Sequence, residues 1–144
     1  MLNLPCFYCC KDNQLDSRMI FICELSGSDL YLNLNQSHLG RVIIASKTHV
    51  KEVFELSKGE RDNFMDDIAL ASKVIHSLFC PDKLNYAIFG DIVSHLHMHL
   101  VPKYENKKSW GEPYNDASPV LLDKAKYSEL INKIRTEIET QKEK

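Results

Sequence analysis

No stretch of this 144-residue chain approaches the roughly 18 consecutive apolar residues of a membrane-spanning helix. A surplus of one charge sign is missing as well. With 18 Lys and Arg against 20 Asp and Glu the formal net charge is −2, so no broad basic field gathers nucleic acid or an anionic membrane. The opening Met1-Leu2-Asn3-Leu4-Pro5-Cys6 has no basic start followed by a long apolar run, which leads to the expectation of a cytoplasmic protein. Cysteines number five, an odd count that argues for reduced thiols or metal ligands over a disulfide framework. Internal repeats and linker-like segments are absent too, and the expectation is one domain over residues 1–144 with a small-molecule partner.

What is present is concentrated in Ser94-His95-Leu96-His97-Met98-His99-Leu100-Val101-Pro102, which holds three of the six histidines. Side chains alternate faces along a strand, so a strand over residues 95–102 puts His95, His97 and His99 on one face and Leu96, Met98 and Leu100 on the other. The apolar face is then buried and the histidine face is chemical. At the rise of a strand the outer two imidazoles attach roughly 13 Å apart, too far for three rings to share one ion. The rings must divide the labour. A metal held by two alternating histidines is the competing reading, and an exposed strand face that merely carries histidine is the bland one.

The rest of the chain supplies elements for this strand to pair with. Residues 19–25 and 30–35 read as two strands around Ser26-Gly27-Ser28-Asp29, and residues 41–45 as a third. Ser57-Lys58-Gly59-Glu60 has the form of a capping box. Behind it Phe64, Ile68, Ala71, Ile75 and Leu78 recur at helical spacing until Pro81 ends the run. Residues 85–89 read as a fourth strand, and residues 123–144 as a charged helix with Leu130, Ile131, Ile134 and Ile138 on one stripe. Cys23 and Cys80 lie inside apolar patterns and read as core. The sum is an α+β domain: a roughly five-stranded antiparallel sheet, one long helix across it, and a C-terminal helix.

The pattern His-x-His-x-His followed by two apolar residues resembles the histidine triad (HIT) family of nucleotide hydrolases and transferases, over about residues 6–114. The resemblance implies that His97 is a nucleophile toward the α-phosphorus of a nucleotide and forms a covalent nucleotidyl-histidine. His99 then orients it or touches phosphate. A neutral imidazole with a pKa near about 6.5 suits the task without a dedicated base. Asn33 matches the family's ribose position, while Gly40-Arg41 stands where the family has Gly-His. Arg41 is a candidate phosphate contact or a solvated strand arginine.

Lys47-Thr48-His49 resembles the family's Lys-x-His element. By resemblance to the zinc-containing bacterial members, Cys6, Cys9, His49 and His95 form a closed structural Zn²⁺ site, with Cys10 as the alternative to Cys9. Gly90-Asp91-Ile92 replaces the family's Gly-Gln-Ser/Thr. Gly90 permits close backbone approach to a phosphate. Asp91 is expected to accept a hydrogen bond from a triad imidazole or a ribose hydroxyl, with Arg41 or a cation offsetting its charge, or else to be a solvated turn residue. Ser94 should point away from the histidine face. Trp110-Gly111-Glu112-Pro113-Tyr114 resembles an aromatic element of some bacterial members and is expected to shape the site.

The resemblance thus implies a homodimer that hydrolyses a phosphoanhydride or phosphoramidate of a purine nucleotide at the α-phosphate. It implies no metal in the chemical step, and the charge balance leads to the expectation of no nucleic-acid or membrane partner. The alternatives are a nucleotide-binding regulatory protein with little turnover, a nucleotidyl transferase, and a metal-dependent hydrolase in which His95 and His97 hold the ion.

Overall fold

A computed structural model describes residues 5–144; Met1–Leu4, used above in reading the amino terminus, lie outside the described residues. Five strands form one antiparallel sheet in the order β1-β2-β3-β5-β4. They are β1 (Met19–Glu24), β2 (Ser28–Asn33), β3 (Val42–Ser46), β4 (Lys83–Ala87) and β5 (His97–Lys103). The first three are a meander with short connections. β5 inserts between β3 and β4, with Ala45 opposite His97 and Ile43 opposite His99, so the triad strand is paired on both sides.

One face of the sheet carries Leu30, Leu32, Val42, Ile44, Met98 and Leu100 against two helices. The first, α3 (Lys58–Phe79), starts at the capping box: Ser57 Oγ accepts from the Glu60 amide, and the Glu60 carboxylate accepts from the Ser57 amide. It ends where Cys80 takes a left-handed conformation, φ 46°, just before Pro81. Phe64, Ile68, Ala71 and Ile75 form its buried stripe. The second, α4 (Lys124–Lys142), buries Ile134 and Ile138 completely in the same core, where truncating either to Ala costs about 2–5 kcal/mol.

The opposite face is also covered, contrary to the expectation of one buried and one chemical face. Two helices of four residues, α1 (Phe7–Cys10) and α2 (Asn13–Asp16), lay Phe7, Tyr8 and Leu15 on Met19, Tyr31, Ile43 and Ala45. Helices this short carry no readable period. Three further expectations are corrected. The triad strand begins at His97, and residues 95–96 are a lead-in with a bend at His95, tied by Leu96 to Val50 and Ser46. The fourth strand is Lys83–Ala87, because Ile88 and Phe89 leave the ladder toward Gly90. Cys23, half-buried, packs against the core as expected, whereas Cys80 is exposed, because the helix cap turns it outward.

Asp67, a buried carboxylate on α3, clasps the β1–β2 turn. It accepts from the Ser26 amide (3.1 Å), Ser26 Oγ (2.6 Å), the Gly27 amide (2.8 Å) and Ser28 Oγ (2.6 Å). Its position on an otherwise apolar helix face gave the clasp no signal in the pattern. Charge-assisted bonds to buried donors are the stronger kind, and Asp67→Ala should lower the unfolding free energy by about 3 kcal/mol in urea titration at unchanged slope. A loss under about 1 kcal/mol would show that the turn holds without it.

Candidate functional site

Antiparallel pairing on both edges of β5 fixes its backbone, and alternation puts the His97 and His99 rings side by side with centroids 5.1 Å apart. They line a cleft of about 510 Å³ together with Asn33, Arg41, Gly90 and Asp91, so the residues predicted for substrate converge there. His97 is 6% exposed, and its Nδ1 lies 2.6 Å from the His95 carbonyl oxygen. A carbonyl only accepts, so Nδ1 carries the proton and Nε2 keeps its lone pair. Burial lowers the His97 pKa, with the bond to His95 opposing.

His99 is held in the opposite tautomer. Its Nδ1 lies 3.2 Å from Arg41 Nη2, and a guanidinium only donates, so Nδ1 accepts and Nε2 bears the hydrogen. Burial, and then the positive charge of Arg41, push the His99 pKa down to about 3. It is a neutral donor at any working pH. One ring offers a lone pair and its neighbour an N–H.

Arg41 is no solvated strand residue: it is 3% exposed. Its Nη1 meets Asp116 Oδ1 at 2.5 Å and its guanidinium carbon sits 4.5 Å from the Tyr114 ring centre. The turn that delivers it depends on Gly40, at φ +89°, where a Cβ would come within 2.7 Å of the Phe79 ring. Gln36 holds the same turn, accepting from the Gly40 amide at 2.9 Å and donating to the Arg41 carbonyl at 3.1 Å.

Asp91 is exposed at the cleft wall, and among the described residues no hydrogen bond joins it to a triad imidazole. Both Nδ1 atoms are engaged elsewhere. The carboxylate that meets Arg41 is Asp116, 75 positions away, for which the sequence carried no signal. Arg18 and Tyr8 also line the cleft unforeseen. Asn33 lines it too, its Oδ1 accepting from the Asn35 amide at 2.8 Å. Gly90 has φ +144°, a conformation that favours glycine. Ser94 faces a separate groove beside Cys6 and His49. Of the aromatic element, Trp110 and Tyr114 both line a different hollow along β4, and Tyr114 reaches from there to within 5.8 Å of the His99 ring.

His95 turns away from the cleft. Its Nε2 lies 2.7 Å from the Ser46 carbonyl oxygen and so bears the hydrogen, which leaves Nδ1 as the ligating atom. Nδ1 is 3.3 Å from Cys6 Sγ, 3.6 Å from Cys9 Sγ and 3.0 Å from His49 Nδ1, and Cys9 Sγ is 3.2 Å from His49 Nδ1. A tetrahedral ion with ordinary M–S and M–N bonds has donor–donor edges of roughly 3.3–3.8 Å; these four distances run from 3.0 to 3.6 Å, slightly tighter than such edges, and all four atoms lie within 4.8 Å of one another. Cys6, Cys9, His49 and His95 could hold a metal ion; Cys10 stands outside the cluster, and so does His97.

The HIT domain family model matches residues 20–106. The protein hit of Bacillus subtilis is 26% identical over 86 residues, covering 56% of this chain and 59% of that one. An uncharacterized HIT-like protein of Mycoplasma genitalium is 42% identical over 48 residues, 30% of this chain and 34% of its own length. The chain thus spans three fifths or less of these two curated relatives. Among solved structures, a histidine triad protein of Bradyrhizobium japonicum superimposes with a TM-score of 0.80 at 21% identity, over 88% of this chain and 96% of that one. A Zn-bound histidine triad family protein of Mycobacterium smegmatis does so at 0.67 and 18% identity, over 96% of both.

One metal ion per chain is expected by elemental analysis, falling below half occupancy in Cys9→Ser while Cys10→Ser keeps it. Thermal unfolding should drop on chelation in the wild type and stay put in Cys9→Ser. Equal loss in the Cys10 variant would move the second thiolate to that position.

Proposed function

The chain belongs to the HIT domain family, and on that premise we propose that it hydrolyses a purine nucleotide at the α-phosphate through a covalent nucleotidyl-His97 intermediate. The observation that carries this is the bare Nε2 of His97 in a cleft, with its Nδ1–H tied to a backbone carbonyl. Nε2 attacks the α-phosphorus, and the bond to the leaving group breaks with its electron pair, the leaving group taking a proton from solvent. The hydrogen bond from Nδ1 to the His95 carbonyl supports the positive charge that the ring acquires. Water then attacks the same phosphorus, releasing the nucleoside monophosphate and a proton and restoring the imidazole.

His99 Nε2–H and Arg41 face the phosphoryl oxygens in this reading, and Asn33 the ribose. Gly90 lets the backbone approach the phosphate. Asp91 accepts from a ribose hydroxyl. Dinucleoside polyphosphates such as diadenosine tetraphosphate, and nucleoside phosphoramidates, are the substrate candidates. Zinc is the ion assigned to Cys6, Cys9, His49 and His95, since two thiolates and two imidazoles make a closed, structural donor set and leave His97 to phosphorus.

A nucleotide-binding regulatory role with little turnover is the second reading. It is favoured by Ile92, which is 95% exposed and brings no proton donor where the family has Ser or Thr. The proposal extends to a homodimer through β4, an edge strand flanked by exposed Tyr86, Ile88 and Phe89. It extends to a cytoplasmic setting, which keeps thiolate ligands reduced. Among the described residues no helix is long and apolar enough to cross a membrane. That α4 shares a core with α3 supports a single domain.

Intact-mass analysis after mixing with a nucleoside phosphoramidate should find a nucleotide-sized increment that His97→Ala lacks, with turnover lower by roughly 10³-fold or more. Nucleotide binding without any increment would favour the regulatory reading. Because burial holds the His97 pKa under 6.5, the free base persists to lower pH and the acidic limb of kcat/KM should lie below that value. A limb above 6.5 contradicts the assignment.

A further inference from the structure

The guanidinium of Arg41 is not used up inside the protein. Nη1 is on Asp116, Nη2 is on His99, and Nε is buried with no partner. A guanidinium cannot shed its charge, and its planar fork matches carboxylate or phosphate through two parallel bonds. The Tyr114 ring stacked at 4.5 Å holds its plane, so the fork keeps its orientation whichever anion it meets.

The anion it meets is largely open to solvent. The Asp116 side chain is 58% exposed where that of Arg41 is 3%. It stands on the irregular segment between β5 and α4, tied otherwise by Asn35 Nδ2 at 3.0 Å. Both members of the pair line the cleft of His97 and His99. A carboxylate therefore sits at the cation beside the third triad histidine, and a polyanionic ligand entering the cleft would be repelled by it while being attracted to Arg41.

We infer that Asp116 is a displaceable internal counter-ion occupying a phosphoryl subsite on Arg41, which the β-phosphoryl group of a bound nucleotide takes over. The inference rests on the nucleotide reading of the cleft and narrows its substrate class. Nucleotides with a phosphoryl group beyond the α-position, such as dinucleoside polyphosphates, are favoured over phosphoramidates, whose amine leaving group offers Arg41 no anion. Asp116 then acts as a selectivity filter: a ligand without a second phosphoryl group leaves the pair closed.

The test is calorimetric titration of the full chain with AMP, with the methylene-bridged analogue of ADP, whose α–β link resists cleavage, and with inorganic tripolyphosphate. Asp116→Asn should tighten the ADP analogue and tripolyphosphate by roughly five-fold, the weight of an ion pair half in solvent, and AMP by less than two-fold. Arg41→Gln should erase the preference of the ADP analogue over AMP, a loss of roughly ten-fold or more, and Arg41→Lys should restore part of it. Were Asp116 a fixed brace for Arg41, Asp116→Asn would weaken all three ligands alike. That outcome, or unchanged affinity for the ADP analogue, overturns the inference. If neither nucleotide binds the wild type, it is the nucleotide reading that fails. Tripolyphosphate then decides the subsite alone: tightening in Asp116→Asn upholds it, and no change removes it.

Discussion

A carbonyl oxygen can only accept, and the one on His95 stands 2.6 Å from Nδ1 of His97. That single bond sets which nitrogen of the central ring is bare, and it depends on the conformation of the residue before β5. His95 is held there twice more, by its Nε2 on the Ser46 carbonyl and by its Nδ1 in the cluster with Cys6, Cys9 and His49. One residue thus joins the Cys/His cluster to the ring that faces the cleft. A backbone shift at position 95 would be felt at both.

Charge is handled by tautomer and burial together. Three imidazoles lie close in sequence, yet the His95 and His97 rings each give their hydrogen to a backbone carbonyl and His99 accepts from Arg41. Burial disfavours the imidazolium at all three. The guanidinium of Arg41, where the family has the histidine of Gly-His, stands beside the third histidine. With burial and a permanent cation beside it, the His99 imidazolium is disfavoured, and Nδ1, accepting from Arg41, leaves the hydrogen on Nε2.

The legible portions of the sequence are those with a period or a local reciprocal bond. Alternation gave the sheet and the shared face of His97 and His99, and Ser57 with Glu60 announced the start of α3. The convergence of Cys6, Cys9, His49 and His95 came from family resemblance, since no local rule links residues 89 positions apart. Three things stayed hidden for one reason: they are tertiary contacts made by polar residues with no pattern of their own. Asp67 reaches from a helix into a turn, Gln36 clasps the Gly40-Arg41 turn, and Asp116 closes on Arg41 from the far end of an irregular segment. Cys80 was misread because apolar surroundings suggest burial, whereas a left-handed cap at the helix end points its side chain outward.

The cover over the histidine face follows from the same economy. α1 has four residues and no helix of that length persists on its own, so something else must hold Phe7 and Tyr8 in place. Cys6 and Cys9 bracket these two residues, and the Tyr8 ring rests 5.0 Å from the His95 ring and 5.2 Å from that of His97. Two positions of the Cys/His cluster and the aromatic cover are therefore one segment. The cluster that fixes the His95 ring also pins the side chains that desolvate His97, so the tautomer of the central histidine and its lowered basicity have a common origin in where residues 6–9 are anchored.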